Sequence, residues 1–154
     1  RPMVMLPVRP SVIPALVYHD VPAALAWLQK AFAFEIEMIM EDETGHPVHS
    51  ELRHGNGVIM VGAEWTDNHK SPSAIGRKCT QTVHILVADD IDGHCARAEA
   101  AGAEILARPE TQFYGDRTYR ARDPEGHIWT FGQTVIEVTP AEWDKAANVR
   151  TRFA

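Results

Sequence analysis

Asp20-Val-Pro-Ala-Ala-Leu-Ala-Trp-Leu-Gln-Lys-Ala-Phe32 reads as a capped amphipathic helix, and the return of the same arrangement later in the chain decides the fold. Asp20 is suited to cap the first turn, Pro22 is tolerated among the opening positions, and Val21, Leu25, Leu28 and Phe32 recur at spacings of three and four. Upstream, the apolar run Val12 to Tyr18 predicts a strand. Downstream, Phe34 to Met40, Val48 to His54 and Gly57 to Gly62 predict three more, with turns at Gly45 and at Gly55-Asn-Gly57 that suit antiparallel hairpins. The order then repeats. Thr80 to Ala88 is β-rich, Asp89-Asp90 supplies a cap, and Ile91 to Ala101 reads as a helix stopped by Gly102. Ala103 to Leu106, Thr118 to Arg122 and His127 to Gly132 predict the remaining strands. Asp20 and Asp90 stand 70 positions apart, and Glu35 and Glu104 stand 69 apart. Such a near-constant offset is the mark of an internal repeat. It predicts an α+β protein of two βαβββ modules, the alternative being one α+β domain whose halves merely look alike.

The modules are expected at residues 11–64 and 80–135, with an extended arm at 1–10, a polar, turn-rich linker at 65–79 and a tail at 136–154. In the tail, Thr139-Pro-Ala-Glu142 matches a capping box and predicts a short helix over Pro140 to Ala147. At 154 residues, 45% hydrophobic and 23% charged, the chain can bury a core without disulfide or metal staples. Cys79 and Cys95 are too few for a disulfide framework, which fits a reduced, cytoplasmic setting. No apolar run nears the ~20 residues a membrane span requires, and the first ten residues lack the length and cleavage site of a secretory signal. A net charge of −6 with no basic stripe argues against a nucleic-acid partner.

The second half, Asp89-Asp-Ile-Asp-Gly-His-Cys-Ala-Arg-Ala-Glu-Ala-Ala-Gly-Ala-Glu104 with Tyr114-Gly-Asp-Arg117 and Asp123-Pro-Glu-Gly-His-Ile-Trp129, resembles the vicinal oxygen chelate superfamily. That group includes glyoxalase I, the extradiol dioxygenases, and the bleomycin and fosfomycin resistance proteins. Tyr18 to Phe32 and His49-Ser-Glu-Leu-Arg-His-Gly55 agree with it, so the resemblance spans roughly residues 11–135. It implies paired βαβββ modules whose mixed sheet curls around a cleft, and commonly a homodimer. It also implies that metal-dependent members place ligands on the first and last strands of each module, positions held here by Ile13, Met60, Thr82 and Thr130. Isoleucine cannot coordinate, a thioether is too soft for Mg, Mn or Fe(II), and neutral hydroxyls are weak donors. The fold is therefore expected without a cofactor, as in a bleomycin-resistance-like branch.

Strand alternation puts Thr82, His84 and Leu86 on one face, opposite Val83, Ile85 and Val87. His84 then reads either as a proton carrier or ligand contact, or as a hydrogen-bonded structural histidine. His49 and Glu51 alternate on another strand, and with His84 they would make a two-histidine, one-carboxylate set suited to Fe(II) or Zn. With Arg53 they read equally well as the solvated side of that strand. Arg117 is placed either to clamp a carboxylate or phosphate, or to pair internally with Asp116 or Asp123. Trp65 can stack on a flat ligand or a second subunit. Trp129 and Phe131 read as packing beneath a helix, His127 as support for the turn before it, and both cysteines as structural.

The expected function is small-molecule binding, of the antibiotic-sequestering type, by a protein that holds its ligand rather than transforming it. Ile13, Met60 and Leu86 would supply apolar contact, with Thr82, His84 and Thr130 providing orientation, as small-ligand pockets require. Two other readings stand beside it: a metal-dependent lyase or dioxygenase using His49, Glu51 and His84, and an accessory interaction domain with a collapsed cleft.

Overall fold

A computed structural model of the chain describes residues 9–154, so all but the last two residues of the expected arm lie outside the described residues. The chain divides into two compact units between Arg77 and Lys78. The first contains β1 (Ala15–Tyr18), α1 (Val21–Phe32), β2 (Glu35–Glu41), β3 (Pro47–His54) and β4 (Gly57–Ala63). The second repeats the order with β5 (Val83–Leu86), α2 (Ile91–Ala100), β6 (Glu104–Thr111), β7 (Asp116–Arg122) and β8 (Ile128–Thr134), then adds α3 (Pro140–Ala147). Each module is a four-stranded mixed sheet, ordered β1-β4-β3-β2 and β5-β8-β7-β6. In both, the first strand runs parallel to the last and the other pairs are antiparallel.

The two caps that suggested the repeat do the same job. Asp20 accepts from the backbone N–H of Ala23, and Asp90 from that of Gly93, each at 3.0 Å. Satisfying a free N–H of the first turn in this way stabilises each helix by about 1 kcal/mol. The apolar stripe of α1, formed by Val21, Leu25, Leu28 and Phe32, is buried on β2 and β4 together with Leu16, Tyr18, Leu52, Ile59 and Val61. In the second module Ile91, Cys95 and Ala98 of α2 bury against Tyr119, Ala121, Trp129 and Phe131. Trp129 and Phe131 are completely buried, with rings stacked 13° from parallel.

Three boundaries lie three or more residues from the sequence reading. β1 starts at Ala15 rather than Val12, because Pro14 has no N–H for the ladder, although its carbonyl still accepts from Met60 N at 2.8 Å. β5 starts at Val83 rather than Thr80, because β8 begins at Ile128 and leaves Thr80 and Gln81 without partners. β6 runs on to Thr111 instead of stopping at Leu106. It is an edge strand with register shifts on both sides of Ala107, a setting in which a proline such as Pro109 is accommodated. The segment after β4 is folded: Ser71 and Pro72 are buried, and Ser71 N donates to the Glu64 carboxylate at 3.2 Å. Among the described residues, no helix is long and apolar enough to cross a membrane.

Candidate functional site

Each helix covers one face of its sheet, and period-two alternation sends the other half of the strand residues to the opposite, open face. In the first module the register joins Ala15 to Met60, Met60 to Glu51, Glu51 to Met38 and His49 to Met40 on that face. A pocket of about 400 Å³ opens there, lined by Ala15, Val17, Val48, His49, Met60 and Trp65 among others. Trp65 is 71% exposed, and its ring stacks on His69 with centroids 4.2 Å apart. His69 is in turn anchored by Thr66, whose Oγ1 lies 2.5 Å from Nδ1. The indole is thus an aromatic wall held in place from behind.

Beside this pocket Glu51 is only 4% exposed. It accepts from the Arg9 guanidinium and from His49 Nε2, the latter at 2.8 Å. The alternative of a solvated strand face is therefore corrected: Arg9 and His49 close over Glu51, and Arg53 is bound to Glu37. Among the described residues no three His, Cys, Asp or Glu side chains gather into a group able to hold a metal ion.

Burial opposes ionisation of Glu51, but the hydrogen bonds from His49 and Arg9 outweigh it and hold the carboxyl below its ordinary value of 4.5. A carboxyl depressed in the folded state contributes stability that is complete above its unfolded value and is lost as pH falls through the folded one. Wild-type stability is therefore expected to decline as pH drops below about 4.5, and Glu51→Gln to flatten part of that decline. Asp42, Glu64, Glu99 and Asp144 are also held low by hydrogen bonds, so the readout is the difference between the two proteins in urea midpoints across this range. Parallel profiles would show that the Arg9–Glu51–His49 cluster contributes nothing.

In the second module, His84 and Arg120 are both register partners of Thr130, and Leu86 and Thr118 are both partners of Gly132. These residues line the open face, where Leu86 is 66% exposed and Arg120 Nε donates to Thr130 Oγ1 at 3.3 Å. Ile13 and Thr82 lie just before β1 and β5, outside the strands. Arg117 is on the other side, directed to α2: its Nη2 and Nε lie 3.0 and 3.2 Å from the Asp92 carboxylate. Neither expected partner is used, because Asp116 accepts from Thr134 Oγ1 and Asp123 from Trp129 Nε1 and a neighbouring turn. Within the first module the structure groups Met60 with Trp65, and within the second His84 with Leu86 and Thr130, with Arg117 on the helix side of that sheet. Sequence reasoning missed Arg120, although the alternation of buried Tyr119 and Ala121 with Thr118, Arg120 and Arg122 carries the signal for it.

The profile of the Glyoxalase/Bleomycin resistance protein/Dioxygenase superfamily matches residues 12–131. The chain belongs to this superfamily. An uncharacterized protein of Mycobacterium bovis is 32% identical over 146 residues, covering 92% of this chain and 94% of its own, and one from Mycobacterium tuberculosis has the same identity with 84% of its own length covered. Among solved structures, TioX from Micromonospora sp. ML1 is 29% identical with a TM-score of 0.64, over 80% of this chain and 97% of TioX. The fosfomycin resistance protein FosX from Listeria monocytogenes, 16% identical, shares the fold at a TM-score of 0.60 over 88% of this chain and 98% of its own.

Within this superfamily member, the residues at the positions that the resemblance assigns to metal ligands do not fit a hard divalent ion. Ile13 offers no donor and Met60 only a thioether, while the Thr130 hydroxyl already accepts from Arg120. The first module offers an aromatic and apolar pocket, and the second a cationic, hydroxyl-bearing strip.

Proposed function

We propose that this superfamily member is a small-molecule binding protein that sequesters its ligand rather than transforming it. What carries the reading is the pocket of about 400 Å³ in the first module, with Met60, Val17 and Ala15 as its apolar floor and the exposed Trp65 as its wall. That volume suits a small ligand, and an exposed indole braced by His69 is available to stack on a flat ring. Antibiotic sequestration is the form of binding in keeping with the bleomycin resistance proteins that the family's description names.

Thermal shift and tryptophan fluorescence test this against a bleomycin-type glycopeptide, flat aromatic carboxylates and the divalent ions of Mn, Fe, Ni and Zn. A ligand that binds the native state raises the midpoint by mass action, and the difference signal between wild type and Trp65→Phe isolates the indole in question. At least one organic probe is expected to raise the midpoint and quench Trp65. Trp65→Ala is expected to weaken that binding about tenfold or more, which is about 1.4 kcal/mol. A protein that purifies with stoichiometric metal and turns substrate over would overturn the reading, as would a flat response to every organic probe.

A further inference from the structure

We propose that the second module carries a binding site for a small organic ammonium ion, in the cavity between the turn that precedes β7 and the chain that leaves β8. Most of the lining of this cavity lies past residue 131, where the match to the superfamily profile ends. The positions that the resemblance assigns to ligands therefore do not account for it.

The cavity, of about 620 Å³, is built entirely from the second module and has the size of a small-ligand site. Two aromatic side chains line it, Tyr114 from the turn and Trp143 from α3. Each is braced by a neighbour. Phe113 packs edge-on against the Tyr114 ring with centroids 5.1 Å apart, and Trp143 Nε1 donates to Thr151 Oγ1 at 2.7 Å. Thr151 is itself fastened to the Asp144 carboxylate, through its N–H at 2.9 Å and its hydroxyl at 2.6 Å. The turn and the departing chain are also tied together, because the carbonyl of Gly115, next to Tyr114, accepts from Val135 N and Ile136 N. Both rings are thus held in place before any ligand arrives.

Charge decides what such a cavity takes. Asp116 and Glu137 line it, and no lysine, arginine or histidine does. Asp116 accepts from Thr134 Oγ1 through Oδ1 at 2.8 Å, which leaves Oδ2 to accept a second donor. Among the described residues neither carboxylate is paired with a cationic side chain. The first turn of α3 has few free donors with which to favour an anion instead: Pro140 has no N–H, Glu142 N donates to Thr139 Oγ1, and Trp143 N donates to Thr139 O. Ring faces attract a cation through their quadrupole, and the carboxylates balance its charge. Ile136 and Val138 add apolar surface, which suits an ammonium ion with an organic body rather than a bare metal ion. The net charge of −6 draws a cation toward the protein from a distance.

Calorimetric titration of the full chain with choline, butylammonium and dimethylbutanol, the uncharged carbon isostere of choline, tests the site, with sodium chloride holding the ionic strength constant. Saturable binding of at least one ammonium ion is expected, about tenfold or more tighter than that of dimethylbutanol, and the stronger arm names the headgroup. Trp143→Ala is expected to weaken that binding about fivefold or more. Because this change also frees Thr151, the second variant is Glu137→Gln, at an exposed residue, with a loss of about threefold and unchanged ligand-free melting expected. Asp89→Asn removes the same charge from a residue outside the lining and is expected to leave the affinity as it was. Ammonium ions bound no more tightly than dimethylbutanol, equal effects of Glu137→Gln and Asp89→Asn, or no saturation of the wild type would each overturn the proposal.

Discussion

Replacing Gly115 with alanine is expected to destabilise the protein by roughly 3–5 kcal/mol, the sum of strain at a left-handed residue and of overpacking that cannot relax. Gly115 sits in the turn between β6 and β7 with φ +99°, a conformation that costs any L side chain. A Cβ there would lie 2.1 Å from the backbone oxygen of Ile136 and 3.0 Å from Val138 Cγ2. Backbone cannot swing aside as a side-chain end can. The close approach is also bonded, since Gly115 O accepts from Val135 N at 3.0 Å and from Ile136 N at 3.1 Å. Displacing Ile136 therefore breaks the contacts that tie the turn to the chain leaving β8. Gly45, at φ +82° with no atom within 4 Å of its would-be Cβ, is the matched control. Gly45→Ala should show the conformational part alone, about 1 kcal/mol. Urea unfolding of both variants decides the matter: similar losses would mean that the contact with Ile136 contributes nothing.

What was legible in the sequence is what local chemistry writes locally. The Asp20 and Asp90 caps, the stripe of Val21, Leu25, Leu28 and Phe32, and the period-two strands each depend on neighbours a few residues away. Their repetition at one offset then gave the two-module fold. The boundaries that moved did so for reasons set by partner strands: a proline tolerated at the edge of β6, and the point at which β8 begins beside β5. The candidate site was read less well because its decisive contacts are long-range. Nothing near Glu51 announces that Arg9, 42 positions away, closes over it, and nothing near Arg117 names Asp92, 25 positions back. Strand parity would have exchanged Arg117 for Arg120, had Tyr119 and Ala121 been taken as the buried pair.

Asp123→Ala is expected to destabilise the protein by about 3–5 kcal/mol, because it strands several donors at once in a place with little water. Asp123 is 1% exposed. One carboxyl oxygen accepts from the N–H groups of Glu125, Gly126 and His127 at 3.1, 2.9 and 3.0 Å, and the other from Trp129 Nε1 at 3.1 Å. The first set folds the Asp-Pro-Glu-Gly turn. The second fixes the indole that anchors the core of the module. Asp123→Asn keeps one accepting oxygen but turns an NH2 toward either the turn or the indole, so a loss of roughly 2–3 kcal/mol is expected. A double-mutant cycle with Trp129→Phe isolates the indole bond, with a coupling energy of about 1–2 kcal/mol. Additive losses in that cycle would mean that Asp123 serves the turn alone. The consequence reaches beyond stability. The stretch from Asp123 to Trp129 is the most specific part of the family resemblance, and the bonds of Asp123 tie it to its own turn and to the indole at the core of the module. It marks the architecture, whereas Trp65 and the pocket beside it stand on the open face of the first sheet.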